Sequence, residues 1–193
     1  LVEVDRDGRR YSQVFSQGKP QGDMTESENG SGRGTTISFL PDTKIFGTVE
    51  YDYDELSLRF RQMAYLNKGL TLEFASPWDR ARGAENWKES FYYEKGISSY
   101  VQDYLNHNRE VLSSQPILVE KTVDGTLVEA AIQYNTGYSE LVYAFANCIH
   151  TPDGGSHLTG FRSGLTRVLN DYARKQKILK DDAANLTGDD VRE

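Results

Sequence analysis

The chain has 193 residues, 37% of them apolar and 26% charged, with a net charge of −7. That length holds one large domain or two small ones, and no apolar run approaches the ~18 residues of a membrane span. The acidic balance excludes a surface whose whole extent serves to hold nucleic acid, and the single cysteine, Cys148, excludes an internal disulfide and fits a reducing, cytoplasmic compartment.

Leu1 to Arg10 alternate and carry charge, unlike a signal peptide. The chain opens without Met inside an apparent strand, which predicts an internal piece of a longer protein. Residues 1–15 read as a β-hairpin turning at Asp7-Gly8, with Val2 and Val4 alternating on one side and Tyr11 and Phe15 on the other. From Ser16 to Gly34 the composition becomes polar and glycine-rich and predicts a long, mobile loop. Thr35 to Leu40 reads as a strand, stopped by Pro41-Asp42. Asp52 to Asn67 carries Tyr53, Leu56, Phe60, Met63 and Ala64 on one helical face, with Gly69 as the stop.

Leu70–Phe74 and Phe91–Tyr93 read as paired strands joined by the charged loop Ser76–Ser90. Gly96 opens a short helix in which Ile97, Tyr100, Val101, Tyr104 and Leu105 share a face. Ile117–Val123, Leu127–Tyr134 and Leu141–Cys148 predict an antiparallel meander, turning at Asp124-Gly125 and at Asn135-Thr136-Gly137. A helix over Ser156–Lys175 follows, N-capped by Ser156, with Leu158, Phe161, Leu165, Val168, Leu169 and Tyr172 on its buried face. Thr187-Gly-Asp-Asp starts another. The class is α+β, with a seam near Gly96.

Chemistry-bearing residues are sparse. Of the three histidines, His107, His150 and His157, the last two are seven apart across a Gly-Gly turn, with no Cys or acidic residue at metal-ligand spacing around them. Ser156, His157 and Asp153 lie too close in sequence to form a triad of the usual kind. Asp153-Gly-Gly-Ser before a helix lacks the spacing and lysine of a P-loop, and reads as a turn with a cap. Arg162, Arg167 and Arg174 read as a solvated helix face, and Cys148 as a small buried hydrophobe.

Three stretches carry a resemblance. Gly34-Thr-Thr-Ile-Ser-Phe-Leu-Pro-Asp resembles a Gly-Thr-x-Val-x-Phe-x-Pro-Asp strand of the DNA gyrase B family, among type IIA topoisomerase B subunits. Phe60-Arg-Gln-Met-Ala-Tyr-Leu-Asn-Lys-Gly-Leu resembles that family's helix ending in Phe-Leu-Asn-x-Gly. Phe145-Ala-Asn-Cys-Ile-His-Thr-Pro-Asp-Gly-Gly-Ser-His-Leu-Thr-Gly-Phe is similar to its Asn-Asn-Ile-x-Thr-x-x-Gly-Gly-Thr-His-x-x-Gly-Phe segment. Thr187-Gly-Asp-Asp-Val-Arg-Glu matches the stretch that precedes the strand leading to a catalytic lysine loop.

The resemblance implies that residues 1–95 are the C-terminal part of a Bergerat-type ATP-binding domain, the fold shared with Hsp90, MutL and histidine kinases. Residues 96–193 would be the N-terminal part of a ribosomal protein S5 domain 2-like transducer domain. It implies that Thr35 helps hold adenine through an ordered water, that Gly34 allows close approach of the nucleotide, and that Ile37, commonly Val in the family, lines the pocket. It places the general base, the Asn that holds Mg²⁺, the adenine-binding Asp and the Gly-rich lid before Leu1, and the γ-phosphate lysine after Glu193. The chain alone is therefore expected to be inactive, with no catalytic or metal-binding residue of its own. For the intact protein the resemblance implies ATP and Mg²⁺ as cofactors, a gyrase-type A subunit and DNA as partners, and B-subunit dimerisation on ATP binding, with no membrane. The B subunits of topoisomerase IV, which decatenates DNA, share the same motifs, and a non-enzymatic truncated module is the remaining alternative.

Overall fold

A computed structural model describes residues 1–77, 88–180 and 182–192. It has two compact units, Leu1–Tyr51 and Asp52–Glu193.

In the first unit, β1 (Val2–Arg6) and β2 (Arg9–Gln13) form the expected hairpin. Asp7 (φ 53°) and Gly8 (φ 77°) both adopt the left-handed conformation that a two-residue turn of this hand needs. The segment expected to be a mobile loop contains instead a small hairpin of β3 (Phe15–Ser16) and β4 (Lys19–Pro20), and a strand, β5 (Thr25–Ser27). β5 pairs with β2 through backbone groups, with Thr25 Oγ1 donating to the Ser12 carbonyl at 3.3 Å. Pairing of this kind requires no apolar side chain, so composition did not reveal it. Gly30 closes the return: a Cβ there would stand 2.5 Å from the backbone of Arg9, so only glycine fits. β6 (Gly34–Ile37) pairs with the free edge of β1, giving the order β5-β2-β1-β6. A short helix that sequence reasoning missed, α1 (Thr43–Phe46), follows, and Asp42 caps it by accepting from Lys44 N at 2.9 Å. No side chain in this unit is fully buried.

The second unit begins with α2 (Tyr53–Leu66), capped by Asp52, whose carboxylate accepts from Glu55 N at 2.8 Å. The antiparallel pair β7 (Leu72–Ala75) and β8 (Lys88–Phe91) lies against it. Of the expected loop between these strands, residues 78–87 lie outside the described residues. Glu89 clamps the hairpin to the helix by accepting from Tyr53 Oη (3.1 Å), Ser57 Oγ (2.9 Å) and Arg61 Nη2 (3.3 Å). Gly96 then leads into α3 (Ile97–Ser99), which continues as a π-helical segment, Tyr100–Leu105. Here the core is aromatic: Tyr65 stacks on Tyr93 at 3.5 Å and tilts against Tyr100 at 5.1 Å, and Tyr100 meets Phe145 at 6.2 Å.

β9 (Ile117–Val123) and β10 (Thr126–Ile132) make a regular hairpin. The expected third strand of a meander does not join them. The continuation of β10 pairs with an earlier segment: Val111 bridges Asn135, and Leu112 N donates to the Tyr134 carbonyl at 2.9 Å. Residues 141–148 instead lead into a tight turn between β11 (Phe145–Ala146) and β12 (Ile149–His150).

α4 (Ser156–Lys175) has the expected bounds. Gly155, not Ser156, takes the cap position, and no side chain caps the helix. Its inward face also differs from expectation. Asn170 and Ala173 are buried, whereas Phe161, Val168 and Tyr172 are exposed. A last short helix, α5 (Gly188–Arg192), is closed by a capping box in which Thr187 and Asp190 bond each other's backbone N–H.

Candidate functional site

Gly34, Thr35 and Ile37 all lie on β6, the edge strand of the first unit's sheet, and all are exposed. Register determines which of them act together. Thr35 stands opposite Val4 and Ile37 opposite Val2, while Gly34 stands opposite Asp5. Because successive side chains point to opposite faces, Thr35 and Ile37 share a face with Val2, Val4 and, on β2, Tyr11. Gly34 belongs to the other face, and a Cβ there would meet nothing within 4 Å in this chain. Among the described residues, nothing therefore requires glycine at that position.

The Thr35 face combines an aliphatic floor, a hydroxyl that both donates and accepts, and a phenol. A flat heteroaromatic ring could lie on such a floor and reach the hydroxyl directly or through a water. Ile37 is 67% exposed, so its side chain is available for contact. Sequence reasoning missed Val2, Val4 and Tyr11 as neighbours of Thr35: the parity of the Asp7-Gly8 hairpin contains the Val4–Tyr11 pairing, but the register of β6 on β1 is not local. On the opposite face, Arg10 holds Asp5 by paired hydrogen bonds of 2.7 and 2.8 Å, and keeps its carboxyl below the usual range.

The other candidates have structural partners. His157 Nε2 lies 3.2 Å from Thr151 Oγ1, and His150 stacks on Tyr143 and tilts against Phe145. Among the described residues, no three His, Cys, Asp or Glu side chains gather as a metal site. Cys148 is half-buried rather than buried, and Asn67 Nδ2 donates to its Sγ at 3.4 Å. Arg174 donates to Asn185 and to the Lys180 and Ala183 carbonyls, and Arg162 pairs with Glu140 at 2.7 Å. A groove of about 480 Å³ between α4 and α5 is lined by Arg162, Arg167 and Arg192 among others. Glu140 compensates two of these, reaching Arg192 at 3.4 Å. No helix among the described residues is long and apolar enough to cross a membrane.

The fold has close counterparts. The 43K ATPase domain of Thermus thermophilus gyrase B, solved with an aminocoumarin, superposes with a TM-score of 0.81 at 33% identity, over 100% of this chain and 51% of that one. The DNA gyrase B-subunit of Myxococcus xanthus superposes at 0.75 with 25% identity, over 90% of this chain and 49% of the other. The α+β arrangement is thus that of gyrase B ATPase domains, which have the Bergerat fold. The DNA gyrase B protein of Clostridium acetobutylicum is 46% identical along all 193 residues, which span 29% of that protein's length. The family model described as DNA gyrase B matches residues 96–193. A match over half the chain, joined to unbroken similarity along the rest, means that the chain belongs to the DNA gyrase B family.

Proposed function

We propose that this chain forms one wall of an adenine pocket and the first part of a transducer within the DNA gyrase B protein, a component of an ATP-dependent type II topoisomerase of the cytoplasm. The intact protein would couple ATP binding and hydrolysis to DNA strand passage and negative supercoiling, with the gyrase A protein and DNA as partners, and two copies of it would dimerise on binding ATP. The observation that carries this reading is the 46% identity to a DNA gyrase B protein along all 193 residues. In support of a boundary between residues 95 and 96, the family match begins at residue 96.

In this reading Thr35 supplies the hydroxyl that ties adenine to the sheet, and Ile37 with Val2 and Val4 supplies the apolar floor. Gly34 leaves room for the nucleotide. Hydrolysis draws on a general base, a Mg²⁺-holding Asn and a γ-phosphate lysine that have no counterparts between Leu1 and Glu193, so the chain alone does not turn over ATP. Stabilising charge at the transferred phosphoryl group is where such catalysis resides. The ion would screen the phosphates, and this chain's part is to position the adenine.

In the intact protein, Thr35→Val keeps the β-branched shape and removes the hydroxyl. The expected loss is about three- to tenfold in affinity for a non-hydrolysable ATP analogue with Mg²⁺, the value of about one hydrogen bond, measured by titration calorimetry. Unchanged affinity would remove Thr35 from the site. Reconstituted with a gyrase A protein, the intact protein is expected to supercoil relaxed circular DNA only when ATP is present. ATP-dependent decatenation without supercoiling would instead mark a component of topoisomerase IV.

A further inference from the structure

In β9 and β10, Glu120 and Glu129 stand directly opposite each other in the ladder. Two carboxylates in register on one face repel and weaken the hairpin unless a cation lies between them. Lys68, in the chain just beyond α2, supplies that cation: its Nζ is 2.8 Å from Glu120 Oε2 and 3.1 Å from Glu129 Oε1. Lys121, the nearest cation on the hairpin itself, pairs with Val128 on the other face and cannot substitute.

The stem of Lys68 makes a second contact. Gly96 is buried with φ +55°, and a Cβ there would stand 2.7 Å from Lys68 Cγ and 3.1 Å from Cε. The lysine therefore lies across the point where the chain turns into α3, and its head is held by the hairpin beyond. The two carboxylates keep its ammonium above the usual range. The boundary between compact units falls at Tyr51/Asp52, not at Gly96, so residues 52–95 share a unit with residues 96–193.

We propose that Lys68 is a latch that fastens the end of α2 to the β9–β10 hairpin across Gly96, and so positions the nucleotide-side helix to pass its movement directly to the transducer. The coupling half of this statement rests on the function proposed above; the latch itself rests on geometry alone. Withdrawing Lys68 would loosen the joint at Gly96 and leave Glu120 and Glu129 repelling each other. Either consequence separates ATP turnover from strand passage without touching the nucleotide.

The test uses the full-length protein and the single variants Lys68→Met and Lys68→Glu, together with the double variant Lys68→Glu/Glu120→Lys. The double variant restores a cation between two carboxylates with the order of charges exchanged. Hydrogen exchange of amides in residues 117–132 is expected to quicken about fivefold in both single variants, the change one net ion pair makes in an opening equilibrium, and to return toward wild type in the double variant. With a gyrase A protein present, Lys68→Glu is expected to keep its DNA-dependent ATP hydrolysis and make fewer supercoils per ATP, and the double variant to recover. Unchanged exchange in Lys68→Glu overturns the latch. Quickened exchange with unchanged supercoils per ATP overturns the coupling role. A wild-type protein that supercoils nothing overturns the function reading instead, and the exchange arm still decides the latch.

Discussion

Asn170 occupies a position on α4 where a purely apolar stripe would place Leu or Val. It is buried, and it works as a two-way connector to the segment before α5. Its Nδ2 donates to the Thr166 carbonyl at 2.9 Å and to the Leu186 carbonyl at 3.0 Å, and its Oδ1 accepts from Leu186 N at 2.8 Å. One side chain thus satisfies both backbone groups of the half-buried Leu186. Removing one partner of a buried hydrogen bond costs more than the bond contributes, because the orphaned group keeps its desolvation penalty. Asn170→Ala is therefore expected to destabilise the protein by about 2–3 kcal/mol, read as a lower urea midpoint at constant slope. A loss below about 0.5 kcal/mol, the size of a neutral surface change, would mean that water satisfies Leu186 instead.

The elements differ in how far the sequence disclosed them. Asp52 before an amphipathic run marked the start of α2, and Asp7-Gly8 between alternating residues marked the first hairpin, because caps and two-residue turns are local. The partner of β10's continuation was not local: Leu141–Cys148 has the apolar character of a strand, but the segment that pairs there is Val111–Leu112. On α4, hydrophobic periodicity chose Phe161, Val168 and Tyr172, and the structure buries the connector Asn170 because Leu186 needs it. Thr35 and Ile37 were legible through resemblance alone; physically they are two exposed residues on an edge strand. The aromatic cluster between α2, β8 and the π-helical segment makes an element-scale prediction. Burial raises the Tyr65 phenol far above its ordinary value and pushes Tyr100 up to about 12. An unfolded tyrosine ionises near pH ~10, so the fold holds the neutral phenol more tightly than the unfolded chain does. That stability is complete below pH ~10 and is lost as pH rises toward the folded values. The unfolding midpoint is expected to fall steeply above pH ~10, and Tyr100→Phe to flatten the fall. A midpoint insensitive to alkali would show that these phenols ionise in place.

At the scale of the whole chain, apolar surface and net charge oppose each other. Phe39, Leu40, Ile45 and Phe46 are each at least 66% exposed, every side chain of β9 is exposed, and α4 presents Phe161, Val168 and Tyr172 outward. Among the described residues, no strand pairs with β6 on the side away from β1, which leaves backbone groups there available to another chain. Surface of this kind in an isolated chain promotes association, and the chain spans only 29% of the length of its Clostridium acetobutylicum relative. Against association stands the net charge of −7, which keeps copies apart at low ionic strength. Salt shortens the reach of that repulsion to about 10 Å at 0.1 M and leaves apolar contact intact. The isolated chain is therefore expected to associate in light scattering, and to do so more strongly as sodium chloride is raised. Contacts dominated by ion pairs would weaken under the same change. A monodisperse monomer at every salt concentration would show that the exposed apolar groups do not form a cohesive surface, and the full-length protein should show no such salt-driven association of this segment.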